Sequence, residues 1–208
     1  MQHSTKILLN TISLWTKIVI RTIVLLISTK IVLRELGVSD YGLYNLIAGV
    51  ISLLSFLNGS LMISTQRFLS YSIGAKNKDD LITTFNTSLL IHIIIGLAFG
   101  LIFLALQPFL FNGFINIGDS SPDVAKSVYN IMIISAIITI STIPYSAVIN
   151  AHEDMLIFAI SEVIVTLIQL FAAIVLIFIE SNQLITYTWL MLLSVFVGFI
   201  SKYVWCKF

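Results

Sequence analysis

Residues 81–106 read LITTFNTSLLIHIIIGLAFGLIFLAL and contain no aspartate, glutamate, lysine or arginine. At 1.5 Å per residue, an α-helix of this length reaches about 39 Å. That exceeds the roughly 30 Å hydrocarbon core of a bilayer. The run is too long for a strand and lacks strict period-two alternation, so a helix is the expected element. A backbone in lipid must satisfy its own hydrogen bonds, and a helix does so within a single segment. The stretch reads as a membrane-spanning helix.

Working outward, five further apolar stretches follow the same logic, at about 7–33, 43–66, 124–149, 156–179 and 184–205. Across the 208 residues, 58% are hydrophobic and only 10% charged, against about 25% charged in a soluble domain. Such a chain cannot cover itself with a hydrated surface. The expected fold is therefore all-α, a polytopic membrane bundle of six helices forming a single unit over residues 1–208. A net charge of +1 argues against nucleic acid as a partner. Lys17 and Arg21 interrupt the first apolar run and no small-residue cleavage site follows, so that run is expected to be retained as a helix. The connections are expected at Gly37 to Gly42 (within LGVSDYG), Lys76 to Asp80 (KNKDD), Pro108 to Asp123, Asn150 to Asp154 (NAHED) and Glu180 to Gln183 (ESNQ).

Orientation follows from Lys and Arg in the connections. Lys6, Arg67, Lys76, Lys78, Lys202 and Lys207 fall on one side, and only Arg34 and Lys126 on the other. This asymmetry predicts both termini in the cytoplasm. Tyr187, Trp189, Tyr203 and Trp205 sit near the ends of the sixth segment, where aromatic rings favour the interface.

Charged residues inside the apolar runs carry the functional signal. Lys17 and Arg21 lie about 15 and 21 Å along a helix beginning at Ile7, near mid-bilayer. Each costs about 2.5–3.5 kcal/mol at a helix centre. Four residues apart, they share a face and repel one another, and Asn10, Ser13 and Ser28 share their stripe. A wet, positive cavity explains this better than a lipid-facing surface. The alternative is a structural ion pair with Glu162, the single acid expected within the spans, which shares its face with Thr166 and Gln169. One carboxylate cannot neutralise two cations. Gln66 and Arg67, at the inner end of the second segment, read equally as a positive anchor or as substrate contacts. Lys30 and Arg34 read as snorkelling anchors.

The remaining polar features are weaker. His92 is expected to be neutral and bonded across helices. Gly96 and Gly100 form a GxxxG match, common by chance in so apolar a chain. His152, Glu153 and Asp154 are adjacent in a tight loop and cannot surround an ion, so no metal or cofactor is expected. No catalytic triad, phosphate loop or outer catalytic domain is legible, and an enzyme is not expected. Cys206 is a lone thiol with no internal partner.

LGVSDYGLYNLIAGVISLLSFLNGSL (36–61) and STQRFLSYSIGAKNKDDL (64–81) resemble the first helices and the following loop of Wzx-like O-antigen and capsule flippases. These belong to the multidrug/oligosaccharidyl-lipid/polysaccharide exporter superfamily. NAHEDM (150–155) and FAISEVIV (158–165) are similar to that family's fourth-to-fifth connection. The resemblance implies two six-helix lobes around a cavity that opens alternately to each side. It also implies an undecaprenyl-diphosphate-linked oligosaccharide as cargo, for O-antigen lipopolysaccharide or capsule synthesis. Positive cavity residues are a family theme that Lys17 and Arg21 match. Glu162 falls where relatives carry an acid, but the basic residue that often follows is replaced here by Thr166 and Gln169.

Family members are about twice this length, so the chain corresponds to the amino-terminal lobe. The chain reads as a truncated product, a fragment or a half-transporter, and it is expected to be inactive alone. A separate chain or a second copy as a homodimer are the two ways a second lobe could be supplied. Two competing functions are multidrug or cation efflux by the same fold, and a non-transporting assembly subunit. A membrane enzyme on the same lipid-linked sugars would need convergent polar groups in an outer loop, where residues 107–123 offer only Asp119 and Asp123.

Overall fold

The computed structural model describes residues 2–53, 55–111 and 121–207, with side chains described at 8–53, 58–111 and 121–207. Lys6 and Asp119, used in the sequence reading, lie outside the described side chains. The described residues form α1 (Gln2–Ser52), α2 (Ser55–Gly74), α3 (Lys78–Phe109), α4 (Pro122–Ala151), α5 (Met155–Val175) and α6 (Gln183–Lys207), with a 3₁₀ turn at Leu176–Phe178. The chain is a multi-pass membrane protein. Helices α3 and α4, α5 with its 3₁₀ extension, and α6 are each long and apolar enough to cross a bilayer.

The helix boundaries correct the sequence reading in three places. The turn expected over Gly37 to Gly42 is a one-residue hinge at Gly37, with φ +76° and ψ 172°, and helix resumes at once. Only glycine takes that left-handed φ without a Cβ penalty. Both arms of α1 then line one cavity, through Arg21 and Val32 before the hinge and Tyr41 and Asn45 after it. The second expected helix, 43–66, leaves helical geometry at Leu53 and continues through α2 to Gly74. The charged connection shortens because α3 starts at Lys78, where the Asn77 side chain accepts from the Asp80 amide at 3.1 Å. An asparagine N-cap satisfies one of the four orphan amides of a helix start. Ser121 followed by Pro122 starts α4 in the same way.

Burying apolar surface does not drive helix association in lipid, so packing and hydrogen bonds must hold the bundle. At the Gly37 end, Val32, Leu36, Leu43, Ile47, Leu176 and Leu184 share one buried cluster with Tyr129. The Tyr129 hydroxyl donates to the Phe103 carbonyl at 2.8 Å, and its ring meets Phe103 and Phe111 edge-on. Serine and threonine sit inside the helices by donating to their own i−4 carbonyls, as Thr142 does to Ile138 and Thr188 to Leu184. Outward faces are apolar: Ile82, Leu90, Ile94, Leu97 and Leu101 stripe α3, and Trp189, Leu193, Phe196, Ile200 and Tyr203 stripe α6.

The GxxxG match is a real helix contact. A Cβ at Gly96 would stand 3.3 Å from the Ile137 backbone oxygen of α4, and one at Gly100 would stand 2.6 Å from Ile137 Cδ1. The side-chain tip can move aside, whereas the carbonyl cannot. Gly96→Leu is therefore expected to cost about 1–3 kcal/mol, read as lowered thermal stability in detergent. Gly49→Ala, with nothing within 4 Å of the added carbon, should be tolerated. Equal stability of the two variants would refute this contact. Below this seam, His92 is buried with Nδ1 2.6 Å from the Ser88 carbonyl of its own helix. The expected bond across helices does not form at that nitrogen, because the i−4 carbonyl is already within reach.

Candidate functional site

Glu162 lies on α5, one turn after Phe158. Its carboxylate accepts from Lys202 of α6, with Nζ to Oε1 at 2.9 Å. The two side chains are 24% and 11% exposed, so the pair is largely desolvated. Close helix approach permits this reach. Gly198, one turn before Lys202, packs so tightly that a Cβ there would stand 2.8 Å from Val165 of α5. Two ammonium groups lie over the Phe158 ring, Lys17 at 4.7 Å from its centroid and Lys202 at 5.3 Å. Both lie within the roughly 6 Å reach of a cation–π contact. Lys17 is also within electrostatic reach of Glu162, Arg21 and Lys202.

This arrangement changes two sequence expectations. Lys202 does not belong with the anchors in the connections; it is buried inside α6. Glu162 spends its hydrogen bond on Lys202, forty residues away, and Lys17 is held against the ring of Phe158. The basic residue that the family resemblance places shortly after the acid on one helix is thus supplied by a neighbouring helix. Thr166 donates to the Glu162 backbone carbonyl at 2.8 Å. Sequence reading missed Lys202 and Phe158. The available signal was that Lys202 falls within the sixth apolar segment, two residues after Ile200 on the lipid-facing stripe and on another face of the helix.

Arg21, one turn beyond Lys17, lines a cavity of about 190 Å³ with Ser28, Tyr44, Thr166, Gln169 and Tyr187. The Ser28 hydroxyl is buried there without a hydrogen-bond partner among the described residues. Tyr44, Gln169 and Met191 also line a second cavity, of about 250 Å³. That one shares Asn58, Thr139 and Val195 with a third, of about 330 Å³, whose wall carries Glu162 and Lys202. The three adjoin through the lobe interior and place polar groups along its length.

Two predicted residues lie apart. Gln66 and Arg67 are on α2, and Arg67 is exposed beside Asp80 and Thr84 of α3 in a cavity that shares no residue with the three above. Asn10, on the predicted stripe, donates to the Glu153 carbonyl at 2.8 Å, just before α5 begins. Among the described residues, no group of three His, Cys, Asp or Glu is placed to hold a metal ion.

The family model MatE matches residues 16–175, which include the hinge, Lys17, Arg21 and Glu162. The fold is similar to the outward-facing conformation of a multidrug resistance MATE family transporter of the MOP superfamily, with a TM-score of 0.78 at 17% identity. That likeness covers 97% of this chain and 44% of the other. It is also similar to a MOP superfamily transporter from Pyrococcus furiosus Vc1 (DSM3638), described as having a binding pocket of reversed polarity. There the TM-score is 0.66 at 16% identity, over 95% of this chain and 44% of the other. No curated protein matches the chain. The chain thus spans less than half the length of the two solved transporters whose fold it shares, and from the match over residues 16–175 it belongs to the MatE family.

Proposed function

We propose that this chain is one lobe of an exporter that moves an undecaprenyl-diphosphate-linked oligosaccharide across the plasma membrane, with both termini in the cytoplasm. A separate chain, a second copy or further sequence supplies the opposing lobe. One observation carries the reading: the charges within the bundle do not cancel. Among the described residues inside the spans, Lys17, Arg21 and Lys202 stand against Glu162, which leaves a net charge of +2 there. Positive charge kept in a bilayer at this cost suits an anionic ligand. A diphosphate offers acceptor oxygens for the guanidinium of Arg21 and the ammonium of Lys17. The buried Ser28 hydroxyl adds a donor beside Arg21.

Multidrug or cation efflux has one feature in its favour. The middle cavity is walled by Phe99, Phe103, Met132 and Ile140, a surface suited to amphipathic molecules. Its one nearby carboxylate, however, is already neutralised by Lys202. The reading is tested with a two-lobe protein in vesicles, comparing movement of lipid-linked oligosaccharide with that of ethidium. Movement of the anionic lipid and not of the cation is expected. The opposite pattern would replace the proposal with cation efflux, and no movement of either would favour an assembly role.

A further inference from the structure

At the end of the bundle away from Gly37, α3 and α6 both pack on α4 and leave a groove of about 300 Å³ between them. Its walls are Ile82 and Phe85 of α3, Tyr145 and Val148 of α4, and Tyr203 of α6. Tyr145 forms the floor, edge-on to Phe85, Phe199 and Tyr203. The groove opens between the two exposed apolar stripes of α3 and α6, the faces that meet lipid. It lies at the membrane–water boundary, because its lining includes the first turn of α3, the C-cap residue of α4 and the last turn of α6.

The polar groups of the lining gather at that boundary. Lys207 extends over the Tyr203 ring at 5.8 Å, and His152 packs edge-on against Trp205. Lys207 is the one charged residue among the lining residues. The nearby Asp80 carboxylate is turned toward α2, where it accepts from the Ser72 hydroxyl and shares a cavity with Arg67. An apolar slot open to lipid, with a cation held at its headgroup end, matches one kind of molecule. We propose that the groove binds an anionic phospholipid, with an acyl chain against Phe85 and Tyr145 and the phosphate at Lys207 and His152. This site is separate from the Lys17, Glu162 and Lys202 cluster and does not depend on what the protein transports.

Trp205 is a built-in reporter. In a Trp15→Phe, Trp189→Phe background, the full chain is placed in phosphatidylcholine vesicles containing brominated phosphatidylglycerol or brominated phosphatidylcholine, and quenching of Trp205 gives the relative affinity. One lysine near an anionic headgroup predicts a preference of about fivefold for phosphatidylglycerol. Lys207→Gln should reduce that preference to near unity, and Val148→Phe, which fills the groove, should weaken quenching by both lipids. Equal affinity of the parent protein for the two lipids would overturn the proposal. A preference that survives Lys207→Gln would do the same. So would quenching by both lipids that Val148→Phe leaves undiminished, since that pattern marks surface attraction without a groove site.

Discussion

Replacing Lys17 and Arg21 together by glutamine is expected to abolish movement of a diphosphate-linked cargo in a two-lobe protein while leaving membrane insertion intact. Each residue offers a charge-assisted hydrogen bond worth about 1.5–3 kcal/mol, so the two together represent roughly a hundredfold or more in binding. Insertion should improve, because each cation removed from mid-bilayer relieves a cost of about 2.5–3.5 kcal/mol. The two effects have opposite signs, which separates a binding role from a folding role. Lys30, near the end of its span, should tolerate glutamine with little change in transport. Full complementation by the double variant, at normal membrane levels, would remove Lys17 and Arg21 from the cargo path.

The second large effect concerns stability. Lys202→Met leaves the Glu162 carboxylate in a largely dry site without its hydrogen-bonded ammonium. Breaking one half of a buried pair costs about 3–5 kcal/mol. Lys17, already against Phe158 and within electrostatic reach, offers partial compensation and favours the lower end of that range. Adding Glu162→Gln to Lys202→Met should recover most of the loss, since neutralising both partners is often close to neutral. Thermal unfolding in detergent of the two single variants and the double variant measures the coupling. A double variant as unstable as Lys202→Met would show that the loss does not come from the unpaired Glu162 charge.

Much of the candidate site was legible because burying charge is costly. Lys17 and Arg21 stand out in an apolar run whatever surrounds them, and Glu162 does so on α5. Partner choice was not legible. The sequence set Lys17 and Arg21 against the single carboxylate and counted Lys202 among the connections; only the packing of α5 on α6 at Gly198 and Val165 brings Lys202 to Glu162. Arg67 illustrates the opposite case. Its motif drew attention in the sequence, yet the fold turns it toward Asp80 and Thr84 on another side of the lobe.

The amino-acid sequence by itself determined that the chain is a helical membrane bundle. Apolar length and backbone hydrogen bonding depend only on consecutive residues. The same local physics marked the turn region that begins at Gly37. Tertiary structure alone decided the rest: that this turn is a single hinge residue, that the second pass leaves helical geometry at Leu53, and that Lys202 faces inward to neutralise Glu162. Those outcomes depend on which helices become neighbours and how closely they approach. In lipid that choice is made by the fit of small residues such as Gly96 and Gly198 against Ile137 and Val165, and no short stretch of sequence encodes it.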